Sequence, residues 1–123
     1  MTINVDNLVQ IWHFISEHRN DKMPVSLAFK LHKIERNIEP DMTLFRQKYS
    51  EIVNKYTLPN YADDGTLISY TVNEDSREAY QSEIRELSQL EFTYPDIIIK
   101  LNEIESLDVT MDELSALMPF IEE

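Results

Sequence analysis

Residues 25–56 read VSLAFKLHKIERNIEPDMTLFRQKYSEIVNKY, and the spacing of their apolar side chains decides the fold. Leu27, Leu31, Ile34 and Ile38 recur at steps of four, three and four, which is the period of one helix face. Met42, Phe45, Tyr49, Ile52 and Tyr56 continue at steps of three, four, three and four. Between Ile38 and Met42 an additional four-residue step acts like a stutter, and Pro40 lies inside it. A proline there gives up one helix hydrogen bond and crowds the carbonyl a turn back. The segment therefore reads as one kinked helix or as two helices meeting near Glu39. The preferred expectation is two stretches, roughly 25–38 and 41–56, in nearly continuous line. Such a stripe is costly if left in water, so the rest of the chain or a second copy must cover it. A homodimer is one of those two solutions.

Upstream, Leu8, Ile11, Trp12 and Ile15 predict a helix over 5–19. A polar break at Asn20, Asp21 and Lys22 follows it, and Pro24 suits the first turn of the next helix. Downstream, Pro59, Asn60, Asp63, Asp64 and Gly65 carry turn chemistry, and 66–72 is rich in strand formers. A hairpin is expected there, pairing 58–61 with 67–71, with Pro59 restricting its strand to an edge. Asp75 with Glu78 matches a capping box for a helix over 76–90, whose stripe is Tyr80, Ile84 and Leu87. Pro95 and the run Ile97, Ile98, Ile99 predict an extended stretch over 91–101, a candidate third strand against the hairpin. Thr110 and Glu113 form a second capping box for a short helix over 111–118, which Pro119 ends or kinks. The expected fold class is α+β and mainly helical: a long kinked helix or helix pair, a small β-hairpin or three-strand sheet, and a short C-terminal helix. The 123 residues fit a single domain, 1–123.

Composition removes whole classes of chemistry. The chain has no cysteine, hence no disulfide, thiolate metal site or cysteine nucleophile, and it fits a reducing compartment. One glycine, Gly65, cannot supply a P-loop or a dinucleotide fingerprint, which need several. Nothing approaches the roughly 20 apolar residues of a membrane span. The net charge of −12 is uneven. Residues 1–62 hold eight basic and seven acidic side chains, whereas 63–123 hold three and sixteen. Direct binding to a phosphate backbone is disfavoured for the second half, and a protein partner with a basic surface is favoured.

Catalytic and metal constellations are not legible. His13 and His18 are five apart and point in different directions on a helix, and His32 pairs with Glu35 at i,i+3 without a metal motif around it. Aligning Gly65 with the glycine of a calcium loop puts Ala62 third and Thr71 last, where that loop needs oxygens and a bidentate Glu. No serine sits in a glycine-flanked elbow. No catalytic, cofactor-binding or metal residue is assigned, and the chain is read as a non-enzyme. What remains is an acidic cluster, Glu103, Glu105, Asp108, Asp112 and Glu113, with Glu122 and Glu123 beyond it. Asp112 and Glu113 also suit the first turn of a helix. These five carboxylates are the candidate partner-binding residues. Met118, Phe120 and Ile121 are bulky groups expected to pack onto the domain.

The run Met23-Pro24-Val25-Ser26-Leu27-Ala28-Phe29-Lys30-Leu31, followed by FRQKYSEIVNKY at 45–56, resembles a family of small uncharacterised proteins encoded by phages and prophages of Gram-positive bacteria. The likeness is one of pattern and order from about Leu8 to Glu123, and Pro40 departs from the uninterrupted helix of that pattern. The resemblance implies a phage accessory protein in the cytoplasm of a bacterial host or associated with a virion. It implies no active site. Two roles follow from it: an assembly or infection factor that binds another protein, or an acidic inhibitor that occupies the nucleic-acid groove of a host or defence enzyme.

Overall fold

The computed structural model describes residues 1–122, and these are mainly helical with small two-stranded sheets. They group into two compact units. The first comprises Met1–Met42 and the chain from Glu91 onward; the second is Thr43–Leu90.

In the first unit, β1 (Thr2–Asn4) leads directly into α1 (Val5–Glu17). The Asn4 side chain caps α1 by accepting from the Asn7 amide at 2.8 Å, which satisfies one of the free donors of the first turn. The helix buries Val5, Leu8, Ile11, Phe14 and Ile15. α2 (Val25–Tyr56) starts as Pro24 suggested, with the Pro24 carbonyl accepting from the Ala28 amide at 3.0 Å. Its first part buries Leu27, Leu31, Ile34, Ile38 and Met42, the helical face marked by the spacing. β4 (Glu91–Thr93) pairs antiparallel with β1, setting Ile3 opposite Phe92. β5 (Ile99–Lys100) runs into the single turn α4 (Leu101–Ile104). α5 (Met111–Leu117) packs on α1, and a 3-10 turn at Met118–Phe120 leads to β6 (Ile121–Glu122), which pairs parallel with β5.

The break preferred near Glu39 is absent: α2 is one helix that continues through Pro40. Both Arg36 and Pro40 are exposed, so the carbonyl that Pro40 leaves without its usual amide lies on the solvent side of the helix. Replacing Pro40 with alanine restores that hydrogen bond but loosens the unfolded chain, and these effects oppose each other. We expect a net gain of about 1 kcal/mol. Urea denaturation followed by circular dichroism checks this, and a destabilised P40A would show that the helix needs its proline.

The second unit holds the rest of α2, then β2 (Thr57–Tyr61), β3 (Leu67–Val72), a 3-10 turn at Glu74–Ser76, and α3 (Arg77–Ser88). The hairpin lies where the turn chemistry placed it. Gly65 takes the positive φ of 88° that a side chain would resist, and the Asp64 carboxylate accepts from the Thr66 amide at 2.9 Å. The expected Asp75–Glu78 box is not used. Ser76 is the N-cap of α3, without a side-chain cap bond, because the chain is in a 3-10 turn at Asp75. The Ile97–Ile99 stretch does not join the hairpin either, since Ile99 pairs with Ile121. Among the described residues of this unit, Thr57 and Leu87 are buried.

Candidate functional site

The five acidic residues proposed as a surface divide into two groups. Glu103 and Glu113 are bonded within the protein, and Glu105, Asp108 and Asp112 are exposed.

Glu103 sits in α4, where its Oε1 accepts from the Lys100 amide at 3.0 Å. The same oxygen accepts from the Lys30 Nζ of α2 at 2.6 Å, with both side chains largely covered. The Lys30 hydrogen bond is the main reason its carboxyl is held below the usual range, and the Lys100 amide adds to it. Its other oxygen, Oε2, is buried without a protein partner. Glu113 completes the box at the start of α5. Its Oε1 accepts from the Thr110 amide at 3.1 Å, and Thr110 Oγ1 accepts from the Glu113 amide at 3.1 Å. Glu113 Oε2 bonds His18 Nε2, and His18 Nδ1 lies 2.6 Å from Asp21 Oδ2.

His18 is therefore a buried imidazole between two carboxylates, with the Phe14 ring tilted 40° against it at a centroid distance of 4.5 Å. Burial alone would lower its pKa, but the bonds to Asp21 and Glu113 prevail and raise it above 6.5. For Glu113, burial pushes upward, while the Thr110 amide and His18 prevail and hold it below 4.5. When protonated, His18 donates Nδ1–H to Asp21 and Nε2–H to Glu113, a charge-assisted clamp between the end of α1 and α5. Close by, Arg19 pairs with Glu35 of α2, which takes up the carboxylate that stood beside His32 on the helix face. His13 and His32 are exposed.

The chain from Lys100 to Glu113 is thus tied to α2 at one end and to α1 at the other. Between these ties Ile104 and Leu107 are buried, which turns the intervening polar positions outward. Glu105, Asp108 and Asp112 are exposed there, together with Met111 at 87%. An apolar group beside carboxylates is the composition of a small binding surface with an anchor and a charged rim. Phe120 packs into the core as expected, Ile121 is half-buried and Met118 is exposed.

Position in the sequence could not reveal the His18–Glu113 bond, which spans 95 residues. Nor could it reveal Tyr94, buried at the end of the β4 segment, whose hydroxyl donates to Asp41 Oδ2 at 2.7 Å. Burial, reinforced by Asp41, raises that phenol's pKa. Among the described residues no three His, Asp or Glu side chains are grouped to hold a metal ion, and no helix is long and apolar enough to cross a membrane. No protein-family model, curated protein or solved structure matches the chain.

Proposed function

We propose that this chain is a non-catalytic binding protein whose acidic segment at 105–112 engages a partner protein with a basic surface. The observation that carries this reading is the pair of ties at Glu103 and Glu113. They hold the segment on the helices while Glu105, Asp108, Met111 and Asp112 face outward. Rim carboxylates around an exposed methionine suit a basic partner with an apolar contact. The resemblance of 23–31 and 45–56 to phage and prophage proteins supports a role in phage assembly or infection, in the cytoplasm of the host or on the virion. The alternative role, an acidic inhibitor of a nucleic-acid-binding enzyme, draws on the same three free carboxylates.

The test uses Glu105, Asp108 and Asp112, because reversing Glu103 would break its bond to Lys30. The tagged protein is used to capture partners from bacterial lysate, with and without phage infection, followed by elution with rising salt. A basic protein should be released at moderate salt, since exposed charge pairing is screened. The triple variant E105K/D108K/D112K should bind that protein about tenfold to a hundredfold more weakly. A partner held equally well by the triple variant would sink the acidic-segment reading. A nucleic-acid-processing enzyme in the eluate favours the inhibitor role, and virion proteins held through high salt favour an apolar assembly contact.

A further inference from the structure

The hairpin of the second unit has two edges of opposite character. The Asn73 amide donates to the Tyr56 carbonyl at 2.9 Å, just before the ladder that pairs Thr57 with Val72, Leu58 with Thr71, Pro59 with Tyr70 and Asn60 with Ser69. Antiparallel ladders alternate between residues that bond each other and residues whose N–H and C=O point away. Counting from Tyr56–Asn73, the bonded pairs are Leu58–Thr71 and Asn60–Ser69. Thr57, Pro59, Tyr70 and Val72 therefore direct their backbone groups outward. On the β2 edge the outward positions are Thr57, directly after α2, and Pro59, which has no N–H, so this edge resists another strand. On the β3 edge Tyr70 and Val72 present intact N–H and C=O groups, and the whole of 65–73 carries no charge. Residues 68–71 of β3 are all exposed, with Ile68 at 68% and Tyr70 at 49%.

We propose that β3 is a dimerisation edge, and that a second copy of this chain pairs its own β3 antiparallel to it about a two-fold axis near Tyr70. A four-stranded sheet in the order β2-β3-β3-β2 results. The axis sets Tyr70 against its own copy and Ile68 against Val72 of the other chain, an aromatic pair and two β-branched pairs. Three observations favour a second copy over another occupant. Antiparallel pairing of one strand with itself is closed and self-complementary. Pro59 leaves each hairpin one competent edge, so growth stops at two chains. In a chain of net charge −12, an uncharged edge lets two copies pair without setting like charges opposite each other. The second unit also needs the cover. It buries Thr57 and Leu87, while Leu44, Tyr49, Leu58, Tyr61, Leu67, Ile68, Tyr70 and Leu90 are exposed.

Sedimentation equilibrium of the full chain, with amide exchange followed at increasing protein concentration, tests this. The expected result is twice the monomer mass, with protection of the Tyr70 and Val72 amides rising alongside dimer formation. Salt should strengthen the association by screening two acidic chains, the opposite of its effect on the acidic segment's partner. I68K places a lysine on each copy near the axis and should raise the dissociation constant at least about tenfold. The Pro40 and acidic-segment variants should dimerise as the parent does. A monomer at all accessible concentrations overturns the proposal. So does a dimer whose Tyr70 and Val72 amides stay unprotected, a readout that needs no variant to fold.

Discussion

Truncating Phe14 to alanine is expected to destabilise the protein by about 3–5 kcal/mol. Phe14 is 1% exposed and lies in α1 among buried Ile11 and Ile15. Its ring covers His18 at 4.5 Å, so the truncation opens a cavity and also lets water reach the clamp beside it. Domains of this size are stable by roughly 5–15 kcal/mol, so F14A removes a large share of that stability. Phe29 provides the internal control, because it is the same residue type at 62% exposure. F29A should stay within about 0.5 kcal/mol of the parent. Urea denaturation of both variants decides the matter, and equal midpoints for F14A and F29A would show that α1 does not face the core.

The second large effect is a pH dependence centred on His18. Folding raises its pKa above 6.5, so its contribution is complete below 6.5 and disappears as pH rises through the folded value. Folding lowers Glu113 below 4.5, so that contribution is complete above 4.5 and is lost as pH falls through the folded value. The clamp therefore stabilises most between 4.5 and 6.5. Replacing His18 with phenylalanine keeps a ring against Phe14 but removes both bonds to Asp21 and Glu113. At pH 5.5 the loss should be about 2–3 kcal/mol, shrinking above the folded pKa of His18. Denaturation midpoints at pH 5.5 and 9 measure this for parent and variant. A difference between parent and H18F that is the same at both pH values would remove the charge on His18 from the account.

What was legible in the sequence was what is local. The spacing of Leu27, Leu31, Ile34, Ile38 and Met42 corresponds to the buried face of α2, and Thr110 with Glu113 forms its box because both members lie within one turn. The same period continues through Phe45, Tyr49, Ile52 and Tyr56, yet these positions are half-buried or exposed. Periodicity fixes which side chains share a face, not whether anything lies over it. Pro40 misled for a related reason: its cost depends on whether water can take the freed carbonyl, which is a property of the surface. The Asp75–Glu78 box fits its pattern, but a 3-10 turn starts one residue earlier. In the candidate site, charge alone grouped five carboxylates. Their division into anchors and free groups depends on Lys30 and His18, whose approach is set by tertiary packing.

The ties at Glu103 and Glu113 also affect when entropy is lost. A free acidic loop would be ordered at the encounter with its partner, and fixing each residue costs on the order of 1–2 kcal/mol. Under the proposed function that ordering belongs to the folding step, and a partner would meet a surface already in position. On that proposal association would resemble rigid docking guided by long-range charge, with a rate that follows ionic strength more closely than any loop motion. The Thr110–Glu113 box, the Lys30–Glu103 pair and buried Ile104 and Leu107 do not involve His18, so the segment stays ordered when His18 loses its proton.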